Sequence, residues 1–191
     1  MLYKPAASPR ENVLTTVLPP VTLILGGARS GKSAHAEALV TGSGLLAVYV
    51  ATAQPLDDEM RARIDRHRER RGSAWRTIEE PLELPDAIGR EAGPGRAVLV
   101  DCLTLWLTNL LLAGRDADAA GDALVSALER RDGPVVLVAN EVGSGIVPLG
   151  ELSRAFVDHA GRLHQRIAAS ADRVRLMVAG LPLDLKPPCI S

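Results

Sequence analysis

Short apolar runs alternate with longer amphipathic segments along the chain, and this alternation predicts an α/β fold. The short runs are rich in valine, leucine and isoleucine and are bounded by glycine, proline or polar residues, which is typical of buried parallel strands. Five of them are Val21–Leu25, Leu45–Thr52, Ala97–Asp101, Val135–Ala139 and Arg173–Ala179, which is the last strand predicted. Trp75–Ile78 is a further brief extended piece.

The segments between the strands have the composition of helices. Alanine and leucine favour a helix after the first strand, and acidic residues open the segment that begins at Asp57. The six predicted helices are Ser33–Val40, Asp57–Arg71, Leu84–Ala92, Leu103–Leu112, Ala117–Arg131 and Glu151–Ser170. Because strands that alternate with helices require βαβ crossovers, we predict a mostly parallel central sheet flanked by helices.

Chain length limits the domain organisation. The 191 residues are enough for one α/β domain with a sizeable core, which we place at residues 21–186. Residues 1–20 contain four prolines and no long apolar run, so we expect an irregular extension rather than a signal peptide. Residues 187–191 are predicted to form a short tail, and no apolar run reaches the ~20 residues of a membrane-spanning helix.

Charge and composition argue against several partners. The net charge is −1 and aromatic residues make up 3% of the chain, so we predict neither a basic nor a base-stacking surface for nucleic acid. An anionic membrane is an equally poor partner for such a chain. Cys102 and Cys189 lack the spacing of a metal site, and we expect reduced thiols and a cytoplasmic protein.

The segment between the first strand and the first helix carries the strongest chemical signal. It reads Gly26-Gly27-Ala28-Arg29-Ser30-Gly31-Lys32-Ser33. This matches the pattern G-x-x-x-x-G-K-[ST] in the strand–loop–helix context that the pattern needs. Glycines let the backbone curl with its N–H groups inward, and the helix N-terminus adds positive potential. We therefore predict a P-loop nucleotide-binding fold that holds the polyphosphate of ATP or GTP.

Three side chains are candidates to complete this site. Lys32 is placed to reach the β- and γ-phosphates, and the Ser33 hydroxyl is placed to ligate Mg²⁺. Asp101 ends an apolar strand, where an acid that helps to hold the magnesium is expected. An aspartate in that position also commonly caps the following helix, and the two roles can coexist.

The phosphate loop alone does not name a reaction, because kinases, GTPases, transporter ATPases and recombinases share it. The chain has neither the N-K-x-D motif of switch GTPases nor the L-S-G-G-Q motif of transporter ATPases. Its size fits a small-molecule kinase. Arg68, Arg70 and Arg71 are candidates for stabilising a transferring phosphoryl group.

Further segments, in order along the chain, resemble one family. They are residues 49–53, 56–60, 63–68, 75–77 with Glu79, 101–104, 108–111, 140–148, and the helix that carries Arg154, Asp158, Gly161 and Gln165. Together with the phosphate loop they are similar to the bifunctional adenosylcobinamide kinase / adenosylcobinamide-phosphate guanylyltransferase family. The resemblance runs from about Val21 to about Lys186.

This resemblance implies two reactions of cobalamin assembly. A nucleoside triphosphate, ATP or GTP with Mg²⁺, phosphorylates the aminopropanol hydroxyl of adenosylcobinamide. GMP from GTP is then joined to adenosylcobinamide phosphate, which gives adenosylcobinamide-GDP and pyrophosphate. The resemblance also implies a homotrimer.

The resemblance assigns individual residues as well. His67 is identified as the nucleophile that becomes guanylylated, a role that suits a neutral imidazole, although its spacing from Met60 and Ile64 also fits an apolar helical stripe. The arginine run after His67 also fits a solvated helix face. Nucleotide contacts are implied for the eight residues of the phosphate loop and for Ala51, Thr52, Ala53, Arg68, Glu69, Arg70, Arg71, Glu79 and Asp101.

Two other functions remain open from the residues alone. A plain small-molecule kinase would use the phosphate loop without a covalent histidine. A nucleotide-gated regulatory module would bind GTP with little turnover. The glycine-rich loop Asn140–Gly150 follows a strand, so we expect it at the active-site edge, where it contacts a substrate, contacts a subunit or only joins strand to helix.

Overall fold

The structure is a computed structural model and describes residues 17–54, 58, 61, 74–146 and 148–188. Within these ranges strands and helices alternate. The strands are β1 Val21–Gly26, β2 Leu46–Ala51, β3 Trp75–Glu79, β4 Arg96–Asp101, β5 Val135–Asn140, β6 Arg173–Val178 and β7 Leu181–Lys186. The helices are α1 Lys32–Gly42, α2 Leu84–Glu91, α3 Leu103–Leu112, α4 Ala117–Glu129 and α5 Glu151–Ser170.

The strands form one seven-stranded sheet in the order β3-β2-β4-β5-β1-β6-β7. Strands β1 to β6 pair in parallel, and β7 pairs antiparallel with β6. The predicted α/β fold with a mostly parallel sheet is therefore confirmed. Because β1 to β6 point the same way, the segments that follow them meet at one edge of the sheet, where ligands of such folds bind.

The prediction that Arg173–Ala179 is the last strand was wrong, because a seventh strand follows it. The chain turns back at Ala179 and Gly180, where φ is +52° and +81°, and continues as β7. Strand β7 lies at the edge of the sheet, and an edge strand accepts Pro182 because the missing N–H would have faced solvent. Its alternating leucines, Leu181, Leu183 and Leu185, are the period-two signal that identifies it.

The chain just before β1 packs against the domain. Leu18 is buried in the same cluster as Ile24 and Val40, and the Pro20 carbonyl accepts the Val135 N–H at 2.9 Å. Residues 1–16 and 189–191 lie outside the described residues. So does most of the predicted helix Asp57–Arg71, of which only Asp58 and Arg61 are described, both as helical.

Two apolar clusters, one on each face of the sheet, hold the helices. The larger cluster joins strand residues such as Val100 and Leu137 to buried residues of α2, α3, α4 and α5, including Trp106. The smaller cluster joins the alternate strand residues, such as Leu99 and Val138, to α1. Since successive side chains of a strand face opposite ways, the cluster that a residue joins identifies its face of the sheet. No helix within the described ranges is long and apolar enough to cross a membrane.

Leu137 tests this division of the core, because it is fully buried on β5, the middle strand of the sheet. We expect Leu137→Ala to lower the free energy of unfolding by about 2–5 kcal/mol through lost apolar contact and a residual cavity. Leu46, which is 72% exposed at the start of β2, is the matched control, and Leu46→Ala should change stability by no more than about 0.5 kcal/mol. Urea unfolding measures both values, and similar values for the two variants would contradict the assigned core.

Candidate active site at the carboxyl edge of the sheet

The phosphate loop follows β1 as a tight backbone turn. Arg29 and Gly31 adopt positive φ values of 57° and 92°, and the Ser30 N–H donates to the Gly27 carbonyl at 3.3 Å. Helix α1 then begins at Lys32, and the His35 N–H closes its first turn on the Gly31 carbonyl at 3.0 Å. The loop therefore ends at a helix N-terminus, where N–H groups and the helix dipole favour an anion.

Gly26 allows this loop to pack closely against β6. A Cβ atom at Gly26 would lie 2.5 Å from Ser30 Oγ and 2.8 Å from the Met177 carbonyl oxygen. The turn between β6 and β7 adds a second support, because the Gly180 N–H donates to the Ser30 carbonyl at 3.0 Å. The Ser30 hydroxyl is buried and has no hydrogen-bond partner in the described part of the chain. The end of β6 and the turn after it thus hold the phosphate loop in place.

Lys32 is directed back into the loop that precedes it. The residue is only 9% exposed, and its Nζ donates to the Gly27 carbonyl at 3.0 Å. This geometry holds the ammonium group against the concave backbone instead of in bulk solvent. An anion seated on the loop would therefore meet a fixed positive charge.

The other predicted contacts line the same edge of the sheet. Ala51 is in register with Glu79 on one side and with Asp101 on the other, and Gly26 is in register with Asn140. Each of these residues ends its strand. The fold therefore brings Ala51, Glu79 and Asp101 to the edge that carries the phosphate loop.

The Asp101 side chain does not cap the helix that follows it. Helix α3 begins after Cys102, which is its N-cap residue, and no side chain caps that helix. The capping alternative for Asp101 is thus not observed, and its carboxylate has no hydrogen-bond or ion-pair partner among the residues that the structure describes. Asp101 alternates with Val100 and so lies on the face of Leu99, which is the face covered by α1. Its carboxylate accordingly lies on the same side of the sheet as Ser33.

A buried hydrogen-bond network, which we call the Thr52 clamp, joins Thr52, Cys102 and Asn109 behind this edge. The Thr52 hydroxyl donates to the Cys102 carbonyl at 2.8 Å and accepts the Cys102 N–H at 2.9 Å. The Asn109 side-chain amide donates to the carbonyls of Thr52 and Pro81 at 2.8 and 3.0 Å. One asparagine of α3 thereby ties down the segments that follow β2 and β3.

The clamp uses every polar group of Thr52. Its side chain is fully buried, its carbonyl accepts from Asn109, and its N–H donates to the Asp101 carbonyl at 3.4 Å. All of its polar groups thus have partners within the described residues, and these contacts position Ala51 and Ala53, which are partly exposed. The nucleotide contact at Thr52 stays a prediction.

The thiol of Cys102 faces the core. Burial, with a further contribution from Asp101, raises the pKa of Cys102 to about 11. The thiol therefore stays protonated at neutral pH and is a poor nucleophile. Cys189 lies outside the described residues.

The loop between β5 and α5 also starts at this edge. The Glu141 N–H donates to the Gly26 carbonyl at 3.1 Å, and the Asn140 N–H donates to the Thr104 hydroxyl at 2.7 Å. Farther along, the Arg154 guanidinium donates to the carbonyls of Pro148 and Leu149. The loop is thus held beside the phosphate loop at its start and against α5 at its end.

Sequence reasoning gave no individual role to Asn109, Thr104 or Asn140. Asn140 ends β5, and the other two lie on α3, the helix after β4. The predicted nucleophile His67 and the predicted contacts Arg68, Glu69, Arg70 and Arg71 lie outside the described residues. The structure therefore assembles the phosphate loop, Ala51, Ala53, Glu79 and Asp101, and leaves the histidine segment as a prediction.

Comparison with known proteins assigns the family. A profile of the family described as cobinamide kinase / cobinamide phosphate guanyltransferase matches residues 22–185. The chain belongs to this family. It is 57% identical over 166 residues to a bifunctional adenosylcobalamin biosynthesis protein, CobP, of Pseudomonas aeruginosa, which covers 86% of this chain and 96% of that protein. It is 45% identical over 179 residues to the bifunctional protein CobU of Escherichia coli, with 86% and 98% covered.

Solved structures with low sequence identity share the fold. The protein PH0250 of Pyrococcus horikoshii aligns with a TM-score of 0.54 at 10% identity, over 91% of this chain and 89% of that one. The flagellar accessory protein FlaH of Methanocaldococcus jannaschii aligns with a TM-score of 0.51 at 12% identity, over 93% and 83%. At such identities the likeness concerns the fold alone. The cobinamide kinase family thus builds its site on a widely used α/β sheet.

Gly26 and Gly27 give a matched test of the loop backbone. We expect Gly26→Ala to destabilise the nucleotide-free protein by about 1–3 kcal/mol, because the new methyl group would overlap the Met177 carbonyl. A Cβ atom at Gly27 would have nothing within 4 Å, so Gly27→Ala should unfold at the temperature of the parent. Scanning calorimetry without nucleotide compares the variants, and equal melting temperatures for both would contradict the described packing.

Asn109 tests the Thr52 clamp. We expect Asn109→Leu to cost about 1–3 kcal/mol of stability, because the buried carbonyls of Thr52 and Pro81 lose their donor. The displaced segments should also raise the KM for GTP. The control is Thr108→Val, since the Thr108 hydroxyl donates only within α3, to the Thr104 carbonyl, and its loss should cost less. Urea unfolding and initial-rate kinetics measure the two effects, and a parent-like Asn109→Leu protein would rule out the clamp.

Proposed function

We propose that the protein transfers the γ-phosphoryl group of ATP or GTP to the aminopropanol hydroxyl of adenosylcobinamide, and then joins GMP from GTP to the resulting phosphate. Family membership supports both activities. The structural observation that carries the proposal is the convergence of the phosphate loop, Glu79 and Asp101 at one edge of the sheet. A phosphate-binding loop beside two carboxylates fits transfer from a nucleoside triphosphate to a second substrate.

The kinase step requires positioning more than covalent chemistry by the protein. The acceptor hydroxyl oxygen bonds to the γ-phosphorus, the bond to the β–γ bridging oxygen breaks, and the hydroxyl proton leaves to solvent. The backbone N–H groups from Gly27 to Ser33 hold the phosphates, and Lys32 stabilises the negative charge on the β- and γ-phosphate oxygens. Arg29, exposed on the loop, is a further contact for these oxygens.

A magnesium ion fits the residues present. Asp101 offers a carboxylate without a partner in the described ranges, and Ser33 offers a hydroxyl at the first turn of α1. No group of three or more acidic, histidine or cysteine side chains within those ranges is arranged to hold a metal ion. Mg²⁺ fits such a sparse site, because it takes one or two protein ligands together with substrate phosphates and water. When bound, the ion would neutralise phosphate charge.

The second reaction is proposed to pass through His67. A neutral imidazole nitrogen would bond to the α-phosphorus of GTP and release pyrophosphate, leaving a phosphoramidate on the protein. The phosphate of adenosylcobinamide phosphate would then attack the same phosphorus, form adenosylcobinamide-GDP and free the histidine. Arg68, Arg70 and Arg71 would neutralise phosphate oxygens, with Glu69 nearby, and Glu79 would accept hydrogen bonds from ribose hydroxyl or guanine N–H groups.

We also propose that the protein acts in the cytoplasm as a homotrimer, as its family resemblance implies. Strand β7 supports a contact between subunits, because Leu181, Leu183 and Leu185 are each more than half exposed at an edge of the sheet. A face of this kind is typical of an interaction site. Sedimentation at several concentrations gives the mass of the particle.

Lys32 tests the phosphate site. We expect Lys32→Ala to lower kcat/KM of the kinase step about a hundredfold or more, because a fixed positive charge at the transferring group is lost. Lys186→Ala is the control, since the Lys186 amine donates to carbonyls at the end of α5, and its rate should match the parent. Phosphorylated cobinamide is quantified by mass spectrometry, and parent-like turnover by Lys32→Ala would contradict the assigned loop.

His67 tests the second activity. Incubation with GTP labelled at the α-phosphate should leave acid-labile, base-stable label on the parent protein and none on His67→Ala. His159→Ala, which removes a histidine that contacts Asp118 on the far helices, should still take up label. Retained label on His67→Ala would reject the assigned nucleophile.

The same assays on the parent protein separate the two other functions. If the parent phosphorylates cobinamide but neither takes up label nor releases pyrophosphate, the protein is a kinase alone. If it binds GTP and forms no product, it is a regulatory module.

A further inference from the structure

An apolar groove of about 380 Å³ lies between α3 and the start of α5. Its walls are formed mainly by Leu111, Leu112, Val142, Leu152, Phe156 and Val157. Beneath them the small cluster of Leu107, Ala117 and Ala160 is continuous with Leu111, Val142 and Phe156. The groove is therefore an indentation in packed structure with a defined floor.

The groove lies next to the candidate active site. Val142 in its wall directly follows Glu141, whose N–H donates to the carbonyl of Gly26 in the phosphate loop. Thr108, also in the lining, donates to the Thr104 carbonyl, and the Thr104 hydroxyl accepts the Asn140 N–H. Every wall is thus built from the segments that follow the carboxyl ends of β4 and β5.

The chemistry of the groove favours the apolar surface of a ligand. Among the described residues no ionisable side chain lines the groove, and its polar members are the hydroxyl-bearing Thr108 and Ser153. On the neighbouring loop, Ile146 and Leu149 are 99% and 98% exposed, which extends the apolar surface outward. The phosphate loop, by contrast, is suited to an anion. Two adjoining regions of opposite character fit a reaction between a polyanionic donor and an acceptor that presents an apolar edge.

We propose that this groove binds the body of the acceptor, with the methyl-bearing edge of the cobinamide macrocycle against Leu152 and Phe156. This assignment rests on the proposed function. Cobinamide presents methyl groups and neutral amides around its ring and carries its reacting hydroxyl on a short arm. A body seated in the groove places that arm toward Asn140 and the phosphate loop, while the ring, being larger than the groove, projects along Ile146 and Leu149.

The loop that forms one wall is held in shape for this role. Arg154 on the first turns of α5 donates to the carbonyls of Pro148 and Leu149, and Gly143 donates its N–H to the Glu141 carboxylate at 2.7 Å. Both ends of the loop are therefore fixed to neighbouring structure. A preformed wall lowers the ordering cost of binding a bulky ligand.

Binding of adenosylcobinamide by Leu152→Gln tests the proposal. Leu152 is 60% exposed, so the fold should tolerate the change. Loss of one apolar contact should raise the dissociation constant in equilibrium dialysis, and the KM for cobinamide, about tenfold. The KM for ATP and the labelling of the protein by GTP should not change, because neither depends on the acceptor. Leu46→Gln, at the opposite edge of the sheet and 72% exposed, is the matched control and should bind like the parent.

Other outcomes would overturn the proposal in distinguishable ways. An unchanged cobinamide dissociation constant for Leu152→Gln would place the acceptor elsewhere. A smaller particle in sedimentation, with acceptor binding intact, would make the groove an interface between copies of the chain. A parent protein that neither binds nor phosphorylates cobinamide would reject the proposed function itself.

Phe156→Leu is a smaller change within the same wall. It should raise the dissociation constant for cobinamide by a smaller factor than Leu152→Gln does. An unchanged dissociation constant in both variants would exclude the groove.

Discussion

The candidate site depends on a close approach between backbone segments at Gly26. There the end of β1 lies so near to β6 that a Cβ atom would overlap the Met177 carbonyl, while the turn after β6 hydrogen-bonds to Ser30. The absence of a side chain lets the chain leave the sheet in a tight curl and enter α1 at Lys32. The concave set of N–H groups and the inward amine follow from this one constraint.

Buried polar groups organise the part of the carboxyl edge that is formed by β3, β2 and β4. Thr52 and Asn109 use their side chains to satisfy backbone groups of Cys102, Thr52 and Pro81, so that the ends of β2, β3 and β4 keep a fixed spacing. A buried network of this kind is stable only when each member has a partner. Glu79 and Asp101 therefore reach the edge on rigid supports. The apolar groove between α3 and α5 adds a surface of a different chemistry. The edge then combines an anion site, the Asp101 carboxylate, which has no partner among the described residues, and an apolar wall.

Much of this arrangement could be predicted from the sequence because local patterns determine it. The strand bounds follow from apolar runs, and α3 and α5 begin and end where composition predicts. The phosphate loop has its own motif. Strand β7 was not predicted, because Pro182 and Asp184 are residue types that are uncommon in strands and they interrupt the alternating leucines. The role of Thr52 could not be predicted either, since it depends on Asn109, which is distant in sequence. The groove between α3 and α5 likewise arises only from packing.

The structure of a complex with Mg²⁺ and a non-hydrolysable GTP analogue tests the account most directly. We expect the β- and γ-phosphate oxygens within hydrogen-bond distance of the backbone N–H groups between Gly27 and Ser33, with the Lys32 amine also in contact with these oxygens and the metal ion next to Asp101. Triphosphate density away from this loop, without a contact to Lys32, would contradict the assigned site.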